Sequence, residues 1–148
     1  MDIRPLVSLV LFTLLASTTC ARAPELVSGS KLASRAFEWN ELPSEAKDNG
    51  VRRAVLDGST ATLDRLHVHV TTLNPGQSSG EPRRHPQEEV IIVKEGTIEA
   101  NFDGQMRTVG PGSVMFFASG AVTSLRNAGN APATYHVVYY YTPLTPKG

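Results

Sequence analysis

The chain has 148 residues, enough for one domain and short for two. Its 14 Lys and Arg balance 14 Asp and Glu, so net charge gives no pull toward nucleic acid or an anionic membrane surface. A hydrophobic fraction of 41% is enough for a core, and 12 Gly with 10 Pro favour short strands joined by turns.

Residues 1–21 are arranged as a secretory signal peptide. Arg4 supplies a positive start, residues 6–15 are apolar, and small polar residues follow from Ala16. The apolar run is too short for an ordinary membrane-spanning helix. Cleavage is expected after Ala21 or Ala23, with Pro24 disfavouring the second. Cys20 is the chain's one cysteine, but Ser17 and Thr19 before it make a poor lipidation signal, so an anchor there is not expected. The expected product is exported, periplasmic or extracellular, off the membrane once the signal is gone. With Cys20 removed, disulfides, thiol catalysis and cysteine metal sites drop out together.

Residues 24–50 are polar, and Pro24, Gly29, Pro43 and Gly50 break any long element. They are expected to form an irregular N-terminal arm, with a short helix possible at 44–48. Phe37 and Trp39 would pin that arm to the main body or to a second subunit. The main body is expected over 51–145. Leu66, Val68 and Val70 alternate with Arg65, His67, His69 and Thr71, the period of a half-buried strand. Residues 90–93 are continuously apolar, as in a strand covered on both faces. Turn residues then separate further strands at 97–102, 106–109, 114–117, 122–126 and 134–141. Short strands at close spacing, without amphipathic helices, predict an all-β sandwich or barrel.

Residues 76–127 carry two patterned blocks. The first reads RRHPQEEVIIVKEG from Arg83, and the second reads GPGSVMFFASGAVTSLRN from Gly110. Together they resemble the two motifs of the cupin superfamily. In that pattern His85 falls on the second histidine of the first motif, Glu89 on its glutamate and Gly96 on its glycine. Gly112, Gly120 and Asn127 match the second motif. Arg83 stands in the first histidine position and Thr123 in the histidine position of the second motif. The resemblance implies a single jelly-roll β-barrel, often dimeric, with a pocket at one mouth. It also implies a metal on three histidines and a glutamate, of which only His85 and Glu89 remain.

A catalytic metal centre needs about three protein ligands or more, and an arginine cannot be one. The cofactor expected is therefore none, or a divalent ion whose ligand set is completed by His67, His69 or His136. His67 and His69 share one side of their strand; that side is expected to be a solvated outer face, the alternative being a polar, ligand-binding interior. His136, among Tyr135, Tyr139, Tyr140 and Tyr141, is expected to be a packing residue, and the tyrosines to serve core and interface. Arg83 either holds an anion at a pocket mouth or makes a surface ion pair with Glu81 or Glu88. Glu89, if it points inward, needs a metal, Arg83 or a raised pKa. The function expected is small-molecule binding, the ligand being anionic where Arg83 anchors it, at Arg83, His85, Glu89 and Thr123, in a homodimer with a degenerate metal site. Two alternatives are a metal-dependent oxygenase, isomerase or hydrolase, and a structural or interaction barrel with no working pocket.

Overall fold

A computed structural model describes residues 31–147. The signal-peptide and cleavage expectations, and the first part of the arm, lie outside those residues. Ten strands form two antiparallel sheets facing each other as a jelly roll. One sheet has six strands: β1 (Ser44–Lys47), β2 (Gly50–Gly58), β3 (Arg65–Leu73), β10 (Ala133–Tyr141), β5 (Glu88–Glu95) and β8 (Val114–Phe117), in that spatial order. The other has β4 (Arg83–Arg84), β9 (Val122–Asn127), β6 (Ile98–Phe102) and β7 (Gln105–Val109).

Alternation along the strands builds the core. Ile91 and Val93 on β5, Met115 and Phe117 on β8, and Tyr135 and Val137 on β10 face Ile98, Ala100 and Leu125 of the smaller sheet. Each Val, Leu, Ile, Met or Phe among them contributes roughly 1.5–3 kcal/mol when fully buried. The rings of Phe102 and Phe117 stack across the sheets with centroids 4.6 Å apart.

The turns follow their sequences. Asp103 and Gly104 join β6 to β7, both with positive φ, the requirement of the two-residue hairpin turn whose twist matches the flanking strands. At Gly96, with φ of 81°, an added Cβ would lie 2.5 Å from the Ala133 Cβ, so both backbone and space require glycine. Asn127 is fully buried. Its Nδ2 donates to the carbonyls of Leu73 and Ala131, at 3.0 and 2.8 Å, and its Oδ1 accepts from the Gly129 N–H at 2.9 Å. It ties β3 to the turn before β10.

Two local expectations are corrected. Residues 44–47 are strand β1, paired with β2 from Ser44↔Arg53 to Lys47↔Gly50, where a helix was allowed. The positive-φ Gly50 at the hairpin turn favours that pairing over a helix. Strand β5 is not covered on both faces: Ile92 is 40% exposed, and on the neighbouring edge strand Val114 and Phe116 are more so. Trp39, in a single 3-10 turn (Trp39–Glu41), lies between the Arg53 guanidinium and the Lys94 ammonium, at 4.8 and 3.7 Å from its centroid. Arg53 and Lys94 belong to strands separated by β3 and β10, so the indole spans the outer face of the large sheet. The arm is thus pinned to the barrel.

Candidate functional site

On the inner face of the large sheet, Glu89, Tyr135, Tyr139, Val137 and His69 make one wall of a cavity of about 530 Å³. Strand register defines them. Glu89 pairs with Tyr139, Tyr139 with His67, and His67 with Asp57. One step deeper, Ile91, Val137, His69 and Ala54 stand in line. The opposite wall comes from the small sheet, where Arg83 on β4 and Thr123 on β9 are direct cross-strand partners. The two positions that depart from the family's metal pattern therefore face each other at one point of the cavity.

His69, Arg83, His85, Glu89 and Thr123 all line this cavity. His85 follows Arg83 by two residues, and the Arg83 Nε donates to the His85 Nε2 at 3.1 Å. That lone pair is the one an imidazole gives to a metal, and here it is spent on an arginine. Glu89 points inward and is 3% exposed, while Glu88 is exposed. Burial pushes the Glu89 carboxyl up to about 7, against the opposing pull of the Arg83 guanidinium and the Tyr139 hydroxyl. One carboxyl oxygen, Oε2, is buried without a hydrogen-bond partner. Burial and Arg83 together hold the His85 imidazole below its ordinary pKa.

The expected outer face for His67 and His69 is corrected. His69 is 8% exposed and lines the cavity; burial, then Arg52, His67 and Arg83, lower its pKa to about 3. The large sheet carries apolar residues on both faces, because Trp39 and the arm cover part of its outside. Polar alternation therefore does not mark the solvent side. His136 sits on that other face, aligned with Val70 and Ile92, so it belongs to no ligand set with His85. Burial and Lys94 lower its pKa. Tyr139, expected in core or interface packing, does pack against the core, and its ring also lies against His67, His69 and His85, with centroids 5.5–5.7 Å apart. Burial, then Glu89, raises its hydroxyl pKa to about 12.

Sequence reading missed Arg52 and Asp57. The Arg52 Nη2 lies 2.9 Å from the His67 Nε2, whose ring also meets the His69 Nδ1 at 3.1 Å. The His67 Nδ1 is 3.0 Å from the Asp57 Oδ2, at ion-pair distance but not aligned as a hydrogen bond. Asp57 is also held by Arg65 through two contacts of 2.5–2.6 Å, which lower its pKa. Strand β2 has no period-two signal of its own, so nothing in its sequence marked these two residues.

The site does not fit the implied metal. Among the described residues no three of His, Cys, Asp or Glu converge as a ligand group. The guanidinium beside His85 adds fixed positive charge where a cation would sit. What the arrangement offers is an arginine donor, a buried carboxyl of raised pKa, and aromatic walls from Tyr135 and Tyr139. Such a pocket suits a small molecule with an acidic or carbonyl oxygen.

A family model described as "Cupin domain" matches residues 69–139. Among curated proteins, Protein SchB of Streptomyces halstedii is 24% identical over 114 residues, 77% of this chain and 81% of that one. Polyketide synthase CurC of Streptomyces cyaneus is 24% identical over 117 residues, 79% of this chain and 75% of that one. Among solved structures, an RmlC-like cupin from Shewanella frigidimarina superposes with a TM-score of 0.61 at 15% identity, covering 76% of this chain and 95% of that one. The polyketide cyclase RemF from Streptomyces resistomycificus gives 0.60 at 19%, covering 73% and 80%.

Proposed function

The chain belongs to the cupin superfamily, and from that premise we propose that its barrel mouth binds a small, oxygen-rich anion on Arg83, where the family's ordinary pattern places a metal. The observation that carries this reading is the 3.1 Å hydrogen bond from the Arg83 Nε to the His85 Nε2. It satisfies a ligand nitrogen with an arginine and leaves the rest of the guanidinium for a carboxylate, phosphate or enolate. Glu89 is compatible with the same reading, since burial raises its carboxyl to about 7 and so weakens its competition with an anion for Arg83. The open cavity speaks against a purely structural barrel, whose mouth side chains would fill. The similarity to a protein named a polyketide synthase favours a ligand carrying several carbonyl or enol oxygens.

The test is a titration of the purified protein with a panel of carboxylates and phosphates, followed by NMR, beside Arg83→Met. Saturable binding that disappears in Arg83→Met supports the reading. Binding that survives the substitution, or that requires added metal, overturns it. Export is part of the same proposal and rests on residues 1–21; secretion of the full-length chain with loss of its N-terminus checks it.

A further inference from the structure

The three contacts around His67 fix where the protons lie. Arg52 carries only donors, so at 2.9 Å from its Nη2 the His67 Nε2 must accept. The single proton of the His67 ring then sits on Nδ1, which lies 3.0 Å from the Asp57 Oδ2 without being aligned to it. The His67 Nε2 is also the atom that the His69 Nδ1 approaches, at 3.1 Å. Two bare nitrogens would repel there, so the His69 Nδ1 carries its proton and shares the one Nε2 lone pair with the Arg52 donor. His69 is buried against cationic neighbours, Arg52 and Arg83, and cannot readily hold a second proton. Its one lone pair is therefore on Nε2, the nitrogen left for the cavity that His69 lines.

Resting on the reading of Arg83 as the anion holder, we infer that His69 is the pocket's hydrogen-bond acceptor, with Arg52, Asp57 and His67 as the positioning residues that set its tautomer. The ligand class sharpens accordingly. It carries an anionic oxygen for Arg83 and, beside it, a hydroxyl or enol proton for the Nε2 of His69. Tyr139, whose ring meets His67, His69 and His85, gives an aromatic face between the two. An anion without the hydroxyl leaves a buried acceptor unsatisfied, which is where discrimination originates.

Two measurements test this and separate it from the reading it rests on. The first needs no ligand: long-range proton–nitrogen NMR spectra of histidine-labelled protein. His69 is expected as one neutral tautomer protonated on Nδ1. Arg52→Met is expected to mix its tautomers and Arg52→Lys, which keeps a donor, to restore it. The signals of His136 on the opposite face report that the variants remain folded. A His69 protonated on Nε2, or a tautomer indifferent to Arg52, overturns the inference while leaving Arg83-dependent binding intact.

The second measurement titrates mandelate against phenylacetate, two aromatic acids that differ by one hydroxyl. Mandelate is expected to bind about five- to tenfold more tightly, the worth of one hydrogen bond. His69→Phe is expected to bring the ratio to about one while both acids still bind. Equal affinities in the unaltered protein, no binding of either acid, or a preference that survives His69→Phe overturns the inference. Unchanged binding in Arg83→Met overturns the Arg83 reading instead.

Discussion

Glu89 concentrates the chemistry of the pocket in one side chain. Its carboxyl binds a proton more tightly in the folded protein, with a pKa of about 7, than in the unfolded chain near 4.5. A group of this sign contributes its full stability below the unfolded value and loses it as pH rises through the folded one. Stability should therefore fall between about pH 4.5 and 7, by up to about 3 kcal/mol for this group. Glu89→Gln keeps the shape and removes the titration. Urea unfolding across that range should show a flatter profile for the variant, with the variant more stable above pH 7. Equal slopes for the two proteins would mean that Glu89 ionises freely. Of this residue's environment, the motif register left the inward position conditional, and the charge state, which depends on the orphaned Oε2 and on how Arg83 is turned, was not legible at all.

At the scale of elements, the strands that carry motifs were legible and those that do not were not. Turn glycines and apolar runs located β5, β6, β8, β9 and β10 to within a residue or two. Strands β1, β2 and β4 lacked a period or were too short to show one, and β2 brings Arg52 and Asp57 to the site. The side on which His67 and His69 lie was misread for a physical reason: the arm and Trp39 cover part of the sheet's outside, so both faces of β3 carry partly buried residues. Asn127 illustrates the opposite case, a motif residue whose work is structural. Its buried amide joins three backbone groups, so Asn127→Ala should destabilise the barrel by about 2–4 kcal/mol in chemical denaturation. Gly96→Ala should be comparable, since both a positive φ and contact with Ala133 oppose a methyl group. A loss below about 0.5 kcal/mol in either variant would show that the turn adjusts without cost.

For the molecule as a whole, two features are separable: a polar mouth on the inside of the large sheet and an apolar patch on its outside. Ile92, Val114 and Phe116 are 40%, 65% and 58% exposed on adjacent strands β5 and β8. The homodimer expected from the family resemblance is a proposal, and we assign its interface to this patch. Phe116→Glu should shift light-scattering mass from dimer to monomer while leaving ligand binding in place; an unchanged mass would move the interface elsewhere or remove it. The fold was legible because two motifs and their spacing constrain a whole barrel, whereas the chemistry of the mouth depends on four or five side chains drawn from distant strands.

The central claim is that Arg83 occupies the role of the metal. Metal content settles it most directly: untagged protein is incubated with iron, manganese, nickel and zinc, dialysed, and measured by mass spectrometry beside Arg83→His/Thr123→His. Those two positions are cross-strand partners, so the double variant rebuilds the three-histidine, one-glutamate set on the existing register. The account predicts negligible metal in the unaltered chain and near-stoichiometric metal in the double variant. Near-stoichiometric metal in the unaltered chain, lost in His85→Ala/Glu89→Ala, would contradict it.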